Sequence, residues 1–215
     1  TQLMVTIDTY EPGLWGDPIP IAIDAGVNEV IPKLVIRETD MWVIYSNSTG
    51  TRAKVSTDGG ASWSPEMTIY DYQPSTIHAV LGGNGDIYVQ QQGFWSKWTY
   101  LYQYTDGSWV GPVNNNLHGL TTGTYSCELG VGADGTIHDI WNGSWSLFTA
   151  SSQSPWDIFS GFYYSNDNVF YNADHTVNDS FVQNATVPKF MFAHDDVNLD
   201  YAEWNGTYWE PTTLF

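Results

Sequence analysis

The chain has 215 residues, 42% of them hydrophobic and only 14% charged, with six Lys and Arg against 24 Asp and Glu and a formal net charge of −18. That length and apolar content describe a folding chain with a sizeable core. Six scattered cations cannot neutralise a run of phosphates, which argues against nucleic acid and anionic membrane surfaces as partners.

Eleven Trp and fourteen Tyr suit half-buried strands and surfaces that bind sugars. Trp15, Trp63, Trp109, Trp156 and Trp209 follow one another at intervals of 48, 46, 47 and 53 residues, each in a similar local setting. Such a period is that of a repeat with one four-stranded unit per interval.

In chain order, "LMVTIDTYEPGLWGDPIPI" supplies only a third and a fourth strand. "KLVIR", "MWVIYS", "RAKVST" and "WSPEMTIY" make the first whole unit, and "IHAVLG", "DIYVQQ", "YLYQYT" and "WVGPV" make the second. "CELGVG", "TIHDIW", "SLFTAS" and "WDIFS" make the third. The fourth runs through "VFYNA", "KFMFAH", "LDYAEW" and "YWEPTTL". All are short and rich in β-branched and aromatic residues, and Asn84-Gly85, Asp106-Gly107 and Asp134-Gly135 mark tight turns. The expected fold is all-β: one propeller domain over residues 1–215, built of four-stranded antiparallel blades. A half-blade at 1–24 precedes blades at 25–72, 73–118, 119–165 and 166–215. An open N-terminal hairpin would leave ladder groups unpaired, so self-association through an edge strand is an expected partner mode, unless the chain is cut from a longer one or the hairpin closes on the fourth unit.

Within the first unit, Ser56-x-Asp58-x-Gly60-x-x-Trp63 resembles the Asp box, the bacterial neuraminidase repeat, at all four defining positions. The resemblance implies a sialidase-like propeller in which Asp58 is the hinge of the turn between a blade's third and fourth strands, on the face away from the family's active site. It also implies that Gly60 supplies an unusual dihedral and that Trp63 packs between blades. "YTDGSW" and "YAEWNGTYW" are weaker relatives of the same turn. Sialidases clamp the substrate carboxylate with three arginines, whereas this chain has two, Arg37 and Arg52, and Val30 stands where the family's first-strand Arg-Ile-Pro motif has its arginine. Sialidase chemistry is therefore not expected.

The expected ligand site lies on the other face. Trp95 and Trp98 fall in the loop joining second and third strands of one unit, and Trp145 falls in the equivalent loop of the next. Gln92, Asn116 and His118 sit beside them in sequence. Aromatic planes next to amides stack sugar C–H faces and read hydroxyls, so a glycan is the expected ligand; the alternative is that these rings pack between blades. Asp196-x-Asn198-x-Asp200 faintly resembles the start of a calcium loop but lacks its later Gly and Glu, and a solvated turn is the plainer reading. No other cofactor is implied. His78 and His138 alternate with apolar neighbours and read as strand histidines. The lone Cys127 allows no intrachain disulfide.

Sequons at Asn47, Asn142, Asn178, Asn184 and Asn205 point to glycosylation and to an extracellular or cell-surface location. The chain starts at Thr1 without a signal sequence and has no apolar run of membrane-spanning length, as expected of a mature form or an excised domain. A lectin-like binding module is the leading expectation and a self-assembling surface protein the second. A glycoside hydrolase or lyase is third, because no catalytic constellation is recognisable.

Overall fold

A computed structural model describes residues 3–5, 17–22, 30–93, 99–115, 124–133, 136–143, 146–152, 162–164, 170–171, 173–176, 186–194, 198–206 and 209–213. All regular elements among them are strands. β1 (Leu3–Val5) and β2 (Ile19–Ala22) pair antiparallel as a two-stranded sheet. Four larger sheets follow, each antiparallel and each built from consecutive strands.

The first sheet holds β3 (Val30–Arg37), β4 (Asp40–Asn47), β5 (Gly50–Ser56) and β6 (Met67–Tyr70). The second holds β7 (Pro74–Leu81), β8 (Ile87–Gly93), β9 (Thr99–Thr105) and β10 (Ser108–Asn115). β11 (Thr124–Val131), β12 (Ile137–Gly143), β13 (Ser146–Ser152) and β14 (Phe162–Tyr164) form the third, with β15 (Phe170–Tyr171) also on β13. β16 (Ala173–Thr176), β17 (Lys189–His194), β18 (Asn198–Trp204) and β19 (Trp209–Thr213) form the fourth.

These strands read as nearly continuous apolar runs because both faces of a sheet are covered. In β4, Trp42 and Ile44 face one way and join Ile77, Ile87, Val89 and Tyr102 of the second sheet in one core. Val43 and Tyr45 face the other way, against Ile21 of β2, Leu3 and Trp63. β8 repeats the alternation: Ile87 and Val89 look towards the first sheet, while Tyr88 packs with Leu129, Val131 and Ile137 of the third. His138 of β12 meets Trp204 and Trp209 of the fourth sheet at 5.2 and 5.1 Å between ring centres. The sheets therefore stack face against face in chain order. Each first strand, from β3 through β7 and β11 to β16, also contacts its successor.

Three sequence expectations move. Trp63 precedes β6 rather than lying in it. Pro65 has no N–H to give a ladder, and Ser64 instead turns back to β5, its amide on the Val55 carbonyl at 2.8 Å and its hydroxyl accepting the Val55 amide at 3.1 Å. Phe170 and Tyr171, expected to open the fourth unit, pair with Leu147 and Ser146 of β13. The third sheet thus runs past residue 165, and the fourth begins at Ala173. The expected strand "WDIFS" lies outside the described residues.

Candidate functional site

Antiparallel pairing sends the β4–β5 hairpin, the end of β8 and the β6–β7 connection to one edge of the stack, here called the upper edge. The β3–β4, β5–β6 and β7–β8 turns and the end of β18 lie at the lower edge. All four first strands pass a register shift where they enter from above: between Val30 and Lys33, Pro74 and Thr76, Thr124 and Cys127, and Ala173 and His175. Bulges of this kind re-aim side chains and concentrate near functional edges.

At the upper edge of the first sheet, on the face it shares with Tyr45, Arg52 of β5 is buried yet fully engaged. Its Nη1 donates to the carbonyls of Tyr70 at 2.7 Å and Thr51 at 3.2 Å. Nη2 reaches the Thr49 hydroxyl at 2.9 Å and carbonyl at 3.2 Å, and the Asp71 carboxylate at 3.3 Å. Nε stands 3.3 Å from Glu66, whose other oxygen accepts the Tyr45 hydroxyl at 2.5 Å. The guanidinium thus fixes the start of the β6–β7 connection, which presents Asp71 and Tyr72 outward.

Tyr72 is 70% exposed. Its ring lies 5.4 Å from that of Tyr70, which in turn sits 5.4 Å from Tyr100 and 5.8 Å from Tyr102. The four rings cross from the β6 end of the first sheet to β9 of the second. Burial raises the Tyr70 and Tyr102 phenols above their ordinary range, so they stay neutral. The Thr51 hydroxyl donates to Gln91 Oε1 across the same seam. Gln91 is buried there, whereas Gln90 and Gln92, also buried, share the Tyr88 face of β8 towards the third sheet. The result is an exposed aromatic step beside a carboxylate, held on a rigid polar base.

Of the residues expected to bind ligand, Gln92 is 6% exposed and lies on the opposite face of β8, towards the third sheet and away from the tyrosine step. Trp95, Trp98, Trp145, Asn116 and His118 lie outside the described residues. Tyr72 and its neighbours were missed, although "IYDYQP" falls in a fourth-to-first connection, which strand order alone sends to the upper edge.

The Ser56–Trp63 turn lies at the lower edge. Ser56 Oγ accepts the Gly60 amide at 2.7 Å and donates to Asp58 Oδ1 at 2.8 Å, while the same Oδ1 accepts the Ser62 amide at 2.9 Å. Ser62 Oγ donates to Oδ2 at 2.5 Å, and these bonds, Ser62 foremost, hold the Asp58 carboxyl down at about 2. Gly60 has φ of 91°, and Trp63 packs between the first sheet and the β1–β2 hairpin. The Asp58 carboxylate is thus bonded within its own turn.

The calcium-loop expectation does not match the strand positions. Asn198 and Asp200 belong to β18, in register with His194 and Phe192, and Asp200 is 4% exposed. An alternation of period two is equally the pattern of a strand. Asp196 lies outside the described residues, and among those described no three metal-ligating side chains gather. His78 and His138 are buried in β7 and β12, and Cys127 is a β11 residue. Asn205 is exposed, with Nδ2 on Glu210 at 2.7 Å. Asn47 is 2% exposed, and its Oδ1 caps the turn by accepting the Thr49 and Gly50 amides at 2.8 and 3.0 Å. Asn142 is a β12 residue; Asn178 and Asn184 lie outside the described residues.

No protein-family model matches the sequence, and no curated protein matches it. Solved structures do. A Hadza microbial sialidase superposes with a TM-score of 0.60 at 12% identity, over 99% of this chain and 52% of its own. The SapL1 lectin, solved with α-methyl fucoside, gives 0.60 at 14% identity, over 84% of this chain and 63% of the lectin. A family 117 glycoside hydrolase from the marine bacterium Zobellia galactanivorans gives 0.51 at 12% identity, over 87% of this chain and 70% of the enzyme. The chain thus spans about half of the sialidase and under two thirds of the lectin. At such identities the likeness concerns architecture, and with the stacked four-stranded sheets it shows that the chain folds as a β-propeller.

Proposed function

We propose that this chain is a non-catalytic, carbohydrate-binding propeller of the Asp-box type, working outside the cell, with a glycan site at the upper seam of the first two blades. One observation carries the reading: the exposed Tyr72 ring, stepped against Tyr70 and set beside Asp71 on a connection that Arg52 immobilises. An aromatic plane stacks the C–H face of a pyranose, and a neighbouring carboxylate accepts its hydroxyls. The lectin among the structural neighbours, solved with a fucoside, supports the same ligand class. The Ser56–Trp63 turn supports the Asp-box assignment, since its carboxylate is consumed within the turn.

The test is a glycan array on the intact chain, followed by titration of its hits into Tyr72→Ala and Asp71→Asn. Both side chains are exposed, so melting temperature stays within a degree or two while affinity at this site falls about tenfold or more. Unchanged affinity in both variants would remove the site from the seam. A second reading, self-assembly through an edge strand, is favoured by β1 and β2 forming, among the described residues, a sheet of two strands. A particle mass that rises with concentration in light scattering would support it.

A further inference from the structure

Asn-Gly occurs three times in the chain, at Asn84-Gly85, Asn142-Gly143 and Asn205-Gly206. The dipeptide is chemically unstable wherever the glycine nitrogen can reach the asparagine side-chain carbon, because glycine has no Cβ to hinder the approach. The fold separates the three. Gly85 donates its amide to the Gly82 carbonyl at 2.9 Å. Asn84 is held through both side-chain atoms, with Nδ2 on Asp86 at 2.5 Å and Oδ1 accepting the Asp86 amide at 3.0 Å. Gly143 closes β12, in register with Thr124 of β11 on one side and Ser146 of β13 on the other. Asn205 and Gly206 instead follow the end of β18, and both are exposed. Gly206 has a φ of 96° and open space where a Cβ would stand. Its amide donates no hydrogen bond among the described residues.

We propose that Asn205-Gly206 is a modification site, where the chain converts its own asparagine to aspartate and isoaspartate, and that this change loosens the lower end of the fourth sheet. The Gly206 nitrogen gives its proton to hydroxide and attacks Cγ of Asn205. The Cγ–Nδ2 bond breaks, water supplies the proton with which Nδ2 departs as ammonia, and a succinimide closes. A second water opens that ring at either carbonyl, so no oxidant, cofactor or enzyme is required. Asn205 is also the acceptor of the Asn205-Gly-Thr sequon, and a glycan on Nδ2 would block the loss of ammonia.

The product acts on its surroundings through charge and chain length. Nδ2 of the unmodified residue donates to Glu210 at 2.7 Å, and conversion sets a carboxylate in its place. Glu210 already opposes Glu203 across β18 and β19, and Lys189 is engaged with Glu203. Further like charge at such a position weakens a sheet. The isoaspartate form also adds a carbon to the backbone directly after Trp204. The rung that Trp204 makes with Trp209 packs on His138, so the contact weakened is the one between the third and fourth sheets.

The test is incubation of the intact chain, made without glycosylation, in warm and mildly alkaline buffer. Peptide mapping by mass spectrometry and enzymatic methylation of isoaspartate are the readouts. In the folded chain Asn205 is expected to convert about tenfold or more faster than Asn84 and Asn142, whose backbones are held by local structure. In urea that preference is expected to vanish, with all three converting at similar rates. Asn205→Gln abolishes the fast conversion and keeps the melting temperature, whereas Asn205→Asp and the converted chain melt a few degrees lower. Asn84 or Asn142 converting as fast as Asn205 in the folded chain, or an Asn205 that converts only in urea, overturns the site. An unchanged melting temperature in the converted chain overturns the loosening.

Discussion

Asp58 and Ser62 hold each other twice: one carboxylate oxygen accepts the Ser62 amide at 2.9 Å and the other accepts its hydroxyl at 2.5 Å. With Ser56 on the same carboxylate, the turn is closed by side chains that reach only a few residues along the chain.

Asp58→Ala is expected to lower the melting temperature by a few degrees and to leave glycan affinity unaltered. The carboxyl titrates near 2 in the folded chain against an ordinary 3.8. A depressed folded value means that its contribution is complete above about pH 4 and is lost as pH falls towards 2. Asp58→Asn should therefore flatten that part of the acid-denaturation curve. A binding defect at unchanged stability would reassign Asp58 to function.

Arg52→Ala is expected to cost about 2–4 kcal/mol in urea unfolding, because the Tyr70 carbonyl and Glu66 lose their donors in a largely buried place. The Asp71 contact adds little, since that side chain is 77% exposed. Arg52→Lys recovers only part of the loss, as one ammonium cannot span the same fork of acceptors. Full recovery by lysine would mean that charge alone matters here.

Trp42→Ala is expected to cost about 3–5 kcal/mol. Its indole is 2% exposed and lies 4.5 Å from Tyr104 and 6.3 Å from Trp109, so truncation opens the seam between two sheets. A loss below about 1 kcal/mol would show that the seam collapses around the gap.

Gly50→Ala is expected to cost more than about 3 kcal/mol or to prevent folding. Its φ of 147° is one that side chains rarely adopt, and an added Cβ would lie 1.9 Å from the Tyr70 carbonyl oxygen. That is the oxygen Arg52 holds, so the variant should also disturb Tyr72. Wild-type stability would mean that the β4–β5 turn can relax at little cost.

What could be read beforehand follows how far apart the partners lie. The Asp58 turn was legible because Ser56, Asp58, Gly60 and Ser62 bond one another within a few residues. Strand identity was legible in "MWVIYS" and "KFMFAH" for the same local reason. The assignment of Phe170 and Tyr171 was not, since their partner β13 lies some twenty residues back and nothing local distinguishes one sheet's edge from the next. The tyrosine step depends on contacts between Tyr70 and Tyr100, which strand register brings together and no spacing announces. At Asn198 and Asp200, read as a solvated turn or the start of a calcium loop, the alternation is that of a strand, which spacing alone does not separate from a metal loop.

Tyr171 ends a strand of the third sheet and Ala173 opens the fourth, so a single residue spans the step between them. Tension along the backbone at that point finds no slack. It reaches β13 through the Phe170–Leu147 rung and β17 through the Ala173–His194 rung at the same moment. Between Tyr70 and Pro74, residues 71–73 can straighten once Arg52 releases the Tyr70 carbonyl and Asp71, before the strands themselves are loaded. Under mechanical load the third and fourth sheets share the force and part together, while the first and second can separate one after the other.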